Sequence, residues 1–358
     1  RGRIQLPLAP WLARKWDALS EEFAVRALNA GAGTGDARFR LLREPSWIFF
    51  PTLPLEIARE LRAHSADAIV ASDPYVAAAA LTGRKLARSH AKVIVELHGD
   101  PRTFTRLYGS RGRRTLAALA DAIAKLALRR ADATRAVSSF TERLVEEARG
   151  RPATKTFLAY SDLSAFAETP AVAVPAERRV VFVGALEPYK NIDGLATAWR
   201  RVASQDSAAV LVIVGRGSRR TVVDALVREL PRQVVHHPEL PPAGVARELD
   251  EARALVLPSY PEGLGRVVLE AFARGRAVIG TDGGGIPDMV THEREGLLVP
   301  PHDTDALVAA LQRVLHDREL CVRLGSSARE TYRRWHQTPQ GFAGAYRELV
   351  DCVLAGAR

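Results

Sequence analysis

Glu262 and Glu270 stand eight residues apart in the string SYPEGLGRVVLEAFARGRAVIGTDGGGIPDMV (259–290). Between them lies a loop spaced by Gly263 and Gly265, where the missing Cβ lets backbone come close to a ligand. The N–H groups at about 265–267, at the start of the helical pattern that follows, have no intrahelical partner and suit an anion, a phosphate best of all. A carboxylate repels a phosphate, so neither glutamate is suited to hold that anion. Each is suited to accept hydrogen bonds from neutral hydroxyls. The pattern therefore points to a ligand with an anionic centre and polyols on both sides, a description that a sugar nucleotide fits.

The elements that must position these groups are legible around them. RALVLPS (253–259) reads as a buried strand, 266–275 as a helix with Val267, Val268, Ala271 and Phe272 apolar, and AVIGTD as a second strand ending in three glycines. Strand, glycine loop, helix and strand make one βαβ unit of a parallel sheet, in which ligands sit beyond the carboxyl ends of the strands.

This stretch resembles the E-x7-E region of the GT4-type retaining glycosyltransferases (glycosyl transferases group 1), and the Gly loop, the following strand and the GGG-I-P turn resemble it too. The resemblance implies an α/β GT-B fold, two Rossmann-like domains facing across a cleft. It implies transfer of a hexose-type sugar from a UDP- or GDP-linked donor to a glycan, lipid or small-molecule acceptor, with no further cofactor and no metal. On it, Glu262 orients sugar hydroxyls and Glu270 holds the ribose. VFVGALEPYKNIDGL is similar to the family's lysine segment, so Lys190 is expected to neutralise the diphosphate, with Gly184 in the turn before it. The family's partner arginine is replaced by Ala185, and Arg266 and Arg216 are the candidates to compensate. Val214-Gly215-Arg216-Gly217 resembles a turn near the nucleotide, and Leu264, Gly265, Arg266, Val267, Gly284 and Gly285 are expected to line the donor with backbone.

His98 ends a strand in VELHGDPRTF, where ligand-facing residues belong. The resemblance implies that it lies near the reacting centre, and Asp100 is the acceptor-side candidate beside it. Ser72-Asp73-Pro74 reads as acceptor lining or as turn chemistry, and Ser138-Ser139 as a helix N-cap. Two other readings stand beside the transferase: a degenerate, non-catalytic nucleotide- or glycan-binding member, and a related sugar-nucleotide epimerase.

Composition bounds these readings. The chain has 358 residues, 47% hydrophobic and 26% charged, enough for two domains of ordinary size. Two cysteines, Cys321 and Cys352, are too few for a disulfide framework and favour a cytoplasmic protein. The net charge of +10 comes with six lysines and 45 arginines. It favours an anionic donor, with an inner membrane face as a peripheral partner, and no nucleic-acid motif accompanies it.

Along the chain, strand patterns at 24–29, 39–43, 67–72, 92–98, 133–138 and 154–159 alternate with helical ones, giving a first domain over 1–165. No strand is legible before residue 24; Gly2 is read as a remnant of the family's first loop, and the N-terminus as truncated. Residues 161–178 lose the pattern and read as a linker to a second domain at 178–335. The helical pattern at 340–354 is expected, from the resemblance, to pack back on the first domain. The segment 106–135 carries Arg106, Arg111, Arg113, Arg114, Arg129, Arg130 and Arg135 around LAALADAIAKLAL. It is read first as an amphipathic core helix with a solvated face, second as a surface for anionic lipid or a charged acceptor.

Overall fold

The structure, a computed structural model, describes residues 4–42, 46–106, 115–170 and 172–356. Gly2, Arg111, Arg113 and Arg114 lie outside the described residues. The chain divides into unit 1, residues 1–162 and 337–358, and unit 2, residues 163–336.

In unit 1, β1 (Ile4–Gln5), β2 (Ala27–Ala32) and β3 (Phe39–Leu42) form one parallel sheet, and β4 (Ala68–Ala71), β5 (Lys92–Leu97), β6 (Ala133–Ala136) and β7 (Lys155–Thr156) form another, in that order. The helices are α1 (Pro10–Glu22), α2 (Ser46–Ala63), α3 (Pro74–Ala87), the single turn α4 (Arg102–Arg106), α5 (Ala117–Arg130) and α6 (Ser139–Arg149). A strand before residue 24, not legible in the sequence, is present: Ile4 pairs with Gly31 and Gln5 with Ala32. It is only two residues long and ends at Leu6-Pro7, too short to show a period. Asp73 caps α3 by accepting from the Tyr75 and Val76 amides at 2.8 and 3.0 Å. Ser138 and Thr141 form a capping box on α6. In both places turn chemistry accounts for the residue.

Unit 2 opens with the short α7 (Ser164–Ala167). Its six strands are all parallel: β8 (Arg179–Val183), β9 (Val210–Val214), β10 (Val234–His237), β11 (Ala254–Leu257), β12 (Ala277–Thr281) and β13 (Gly296–Val299). They lie in the order β10-β9-β8-β11-β12-β13. Every residue of β11 and β12 is buried, the near-continuous apolar run expected of a parallel sheet covered on both faces. The covering helices are α8 (Ile192–Gln205), α9 (Arg220–Glu229), α10 (Pro242–Asp250), α11 (Arg266–Ala273), α12 (Thr304–His316) and α13 (Arg318–Trp335). Trp199 of α8 is fully buried in their core. Two buried arginines just past α11 hold the irregular stretch before β8. Arg274 donates to the carbonyls of Phe166, Thr169 and Pro170, and Arg276 to those of Val172 and Ala173. The last helix, α14 (Pro339–Ala355), belongs to unit 1, where Phe342, Ala343 and Tyr346 pack with Ala18 and Leu19 of α1.

Candidate active site

In the unit 2 sheet the strand order reverses between β8 and β11, which are paired through Val180 and Ala254. The crevice beyond the carboxyl ends of such a pair is where open α/β sheets bind ligands. The loop after β8 carries Lys190; the loop after β11 carries Glu262. Gly215 follows β9 and Gly284 follows β12, so four adjacent strand ends supply the residues expected from the sequence.

Lys190 ends a short 3₁₀ turn, Pro188–Lys190, and is buried. Its ammonium lies 5.0 Å from the centroid of the Tyr189 ring and donates to Glu262 Oε2. The same oxygen accepts from Ser259 Oγ at 2.9 Å. The Tyr260 amide donates to the Tyr189 carbonyl at 2.7 Å, so backbone as well as side chains join the two loops. Glu262 is thus held at one carboxylate oxygen, and Oε1 makes no hydrogen bond among the described residues.

The glycines after β12 are explained first by packing. The Gly285 amide donates to the Glu262 carbonyl at 2.8 Å, and a Cβ on Gly284 would lie 2.4 Å from that oxygen. A Cβ on Gly283 would lie 2.6 Å from the Tyr260 ring. The sequence reading assigned Gly285 to the donor through its backbone, but its N–H is already engaged in fixing the Glu262 loop. Gly184 and Gly215 show the same economy of space, a Cβ on Gly215 falling 1.9 Å from the Gly184 carbonyl oxygen.

Gly265, with φ of +85°, turns the chain into α11. The amides of Arg266 and Val267, at the first two positions of the helix, have no hydrogen-bond partner among the described residues. They are the kind of unpartnered donors that an anion site at a helix N-terminus uses. Leu264 is half-buried beside them. One turn on, Glu270 is buried and bound by Arg266 Nε at 2.9 Å. Burial pushes the Glu270 carboxyl upward, and the Arg266 charge and hydrogen bond oppose that shift. Of the two arginines considered as replacements at Ala185, Arg266 is engaged with Glu270 and Arg216 with Glu239.

His98 and Asp100 follow β5 in unit 1. The His98 Nε2 lies 3.2 Å from Glu96 Oε2. Glu96 is the residue that sequence reasoning missed, although its position two before His98 on a strand puts both on one face. The other Glu96 oxygen accepts from Arg135, itself fully buried. Arg135 also donates to the carbonyls of Phe157 at 3.0 Å and Leu158 at 2.6 Å, and its guanidinium lies 4.0 Å from the Phe157 ring centroid. Burial opposes the charge on Glu96, but the His98 hydrogen bond and the charges of Arg135, His98 and Lys15 outweigh it and hold its pKa at about 2. Burial lowers the pKa of the Lys15 ammonium on α1, with Glu96 opposing. Asp100 accepts from the Arg102 amide at 2.9 Å and from Arg102 Nε at 2.8 Å. Its carboxylate is committed locally, at the start of α4.

Comparison with known proteins places this architecture in a class. The model for glycosyl transferases group 1 matches residues 170–331, and that for the glycosyl transferase 4-like domain matches 9–160. The chain belongs to this family of GT-B-fold glycosyltransferases, which transfer a sugar from a nucleotide-sugar donor to an acceptor. It is 28% identical over 364 residues to the GDP-mannose-dependent alpha-(1-6)-phosphatidylinositol monomannoside mannosyltransferase of Mycobacterium tuberculosis, covering 92% of this chain and 90% of that one. It is 35% identical over 188 residues to a D-inositol 3-phosphate glycosyltransferase of Rhodococcus opacus, covering 48% and 41%. Among solved structures, sucrose-phosphate synthase from Thermosynechococcus elongatus superposes with a TM-score of 0.77 at 21% identity, over 98% of this chain and 96% of that one. HepE of Anabaena in complex with UDP and glucose gives 0.71 at 16% identity, over 99% and 98%.

Proposed function

We propose that this chain is a retaining hexosyltransferase using a GDP- or UDP-linked donor and a glycan, lipid or small-molecule acceptor. The reading is carried by one observation. At the sheet's switch point, the Lys190 ammonium and the Glu262 carboxylate stand on neighbouring loops, and the unpartnered amides of Arg266 and Val267 and the carboxylate of Glu270 on the helix α11 that follows. The likeness to a GDP-mannose-dependent enzyme along nearly the whole chain supports a diphosphate donor.

In this mechanism the helix amides and Lys190 take the donor diphosphate and stabilise the negative charge that grows on it as the glycosidic bond breaks. The free oxygen of Glu262 accepts from a hydroxyl of the transferred sugar. Glu270, paired with Arg266, accepts from the ribose. His98, held by Glu96, is the residue of unit 1 assigned to the reacting centre. The test is release of GDP from GDP-mannose or UDP from UDP-glucose, slow without acceptor. It should disappear in Glu262→Ala, and the anomeric configuration of a transferred sugar should match that of the donor. Unchanged release in Glu262→Ala would refute the assignment.

A second reading has one specific observation in its favour. Ala185 stands in the place of the family arginine, and both candidate replacements are paired with carboxylates. A chain that binds nucleotide without turnover would follow from that loss. Tight GDP or UDP binding by calorimetry, with no release of either from its sugar, would select this reading.

A further inference from the structure

Helix α5 was expected to turn a solvated face outward, and the face it does turn outward is apolar. Its buried side is Ala124, Ala127 and Leu128. Leu119 (59% exposed), Ile123 (39%) and Leu126 (53%) face solvent, and Leu116 (59%), at the N-cap, continues the line. The spacing of three, four and three residues sets them in one stripe along the helix. Ala118 and Ala122 lie exposed between them. These four make up a third of the large apolar side chains exposed among the described residues, so the stripe is a concentration and not the ordinary scatter of surface leucines.

The charges around the stripe have one sign. Lys125, Arg129 and Arg130 are exposed on α5, and Lys125 and Arg130 make no ion pair among the described residues. The helix has a single acidic residue, Asp121, which is half-buried and paired with Arg106 at 2.9 Å. A protein core would satisfy the apolar stripe and leave the cations without partners. An anionic bilayer satisfies both, acyl chains taking the leucines and phosphates the cations. No described helix is long and apolar enough to cross a membrane, so the geometry is that of a helix lying in the interface.

We propose that the Leu116–Leu126 face of α5 docks this chain on an anionic lipid surface. The proposal rests on exposure and charge alone and is independent of the reaction assigned above.

The test is co-sedimentation of the full chain with vesicles of phosphatidylcholine alone and of phosphatidylcholine mixed with phosphatidylglycerol. The wild type should bind the mixed vesicles and release as salt is raised. The variant Leu119→Asp/Leu126→Asp should lose affinity by on the order of 100-fold, because two inserted side chains and their desolvation are removed. Its thermal unfolding should be unchanged, since both positions face solvent. Lys125→Glu/Arg130→Glu should lose the preference for the mixed vesicles. Equal wild-type sedimentation with both vesicle types, or no change in the aspartate variant, would overturn the proposal. So would a wild-type dimer that the aspartate variant converts to monomer in the absence of vesicle binding, which would make the stripe a contact between copies of the chain.

Discussion

Lys190 and Glu262, 72 residues apart, form an ion pair, its side chains 9% and 12% exposed, across the switch point of the second sheet. The cation expected to meet a diphosphate is therefore already neutralised by the carboxylate expected to orient the sugar. Binding requires the two to share the ligand: phosphate oxygens on the ammonium, a sugar hydroxyl on the free carboxylate oxygen. The pair keeps the ammonium aimed at the site, which is the preorganisation that stabilises developing charge. Lys190→Ala is expected to lower turnover by ~100-fold or more, as loss of one preorganised donor does in comparable sites. Donor hydrolysis by the purified variant measures it, and near-normal turnover would remove Lys190 from the mechanism.

The same pair makes a separable prediction about stability. Removing one partner leaves a buried charge uncompensated, at a cost of roughly 3–5 kcal/mol, whereas removing both avoids that penalty. Lys190→Met and Glu262→Gln should each unfold at lower denaturant than the double variant carrying both. Additive losses in the double-mutant cycle would mean that the two groups do not depend on each other. The conservative Lys190→Arg is not expected to restore turnover, because a planar fork does not replace a point charge in a space shaped for it.

Much of unit 2 was legible in the sequence because its strands are apolar and its turns carry glycine, and each such signal is local. What was not legible was short or long-range. Ile4–Gln5 is too short a strand to display alternation, and Gly296–Val299 is one glycine and three apolar residues that no pattern separates from a loop. Arg135 was grouped with surface arginines, yet it is fully buried, with a carboxylate 39 residues away and two carbonyls about the β7 end to satisfy it. Arg274 and Arg276 are similar, holding the irregular stretch before β8 by its carbonyls. In a chain with 45 arginines, composition alone could not mark these three as structural. For α5, only the structure shows which side of the helix its leucines occupy.

Glu96 carries a prediction about acid stability. Its carboxyl has an ordinary value of 4.5 and is held at about 2 in the folded chain. A carboxyl with a depressed folded pKa contributes stability above its unfolded pKa and loses it as pH falls through the folded value. The contribution here is about 3 kcal/mol, complete above about pH 5 and gone near pH 2. Glu96→Gln should be less stable at neutral pH, since Arg135 loses its counter-charge. The diagnostic is the slope: between pH 4.5 and 2 its stability should fall with about one proton less uptake than the wild type. Parallel curves would show that Glu96 is not the group being protonated.

Gly284 should be intolerant for a reason its neighbours do not all share. It has φ of +72°, and a Cβ there would lie 2.4 Å from the Glu262 carbonyl oxygen, so Gly284→Ala must both strain the backbone and displace the Glu262 loop. Gly35 has φ of +108° with nothing within 4 Å of its Cβ position, and isolates the strain. Strain of this kind costs on the order of 1–3 kcal/mol. Gly35→Ala should show that loss alone, with donor hydrolysis intact. Gly284→Ala should lose stability and turnover together, and normal turnover in it would mean that the loop adapts without moving Glu262.

Glu270 gives the site a pH dependence of its own. Burial raises its pKa above the ordinary value of 4.5, and Arg266 limits the rise. Only the ionised carboxylate accepts from both ribose hydroxyls, so nucleotide affinity should weaken as pH falls toward the raised pKa and be complete above it. The window therefore lies above pH 4.5. Arg266→Ala removes the opposing charge and should move the whole curve to higher pH, while Glu270→Gln should flatten it at reduced affinity. Calorimetric titration with GDP and UDP across this range reads all three curves. A wild-type affinity independent of pH down to 4.5, with Glu270→Gln indistinguishable from it, would place the ribose elsewhere and leave Glu270 as a partner of Arg266 only.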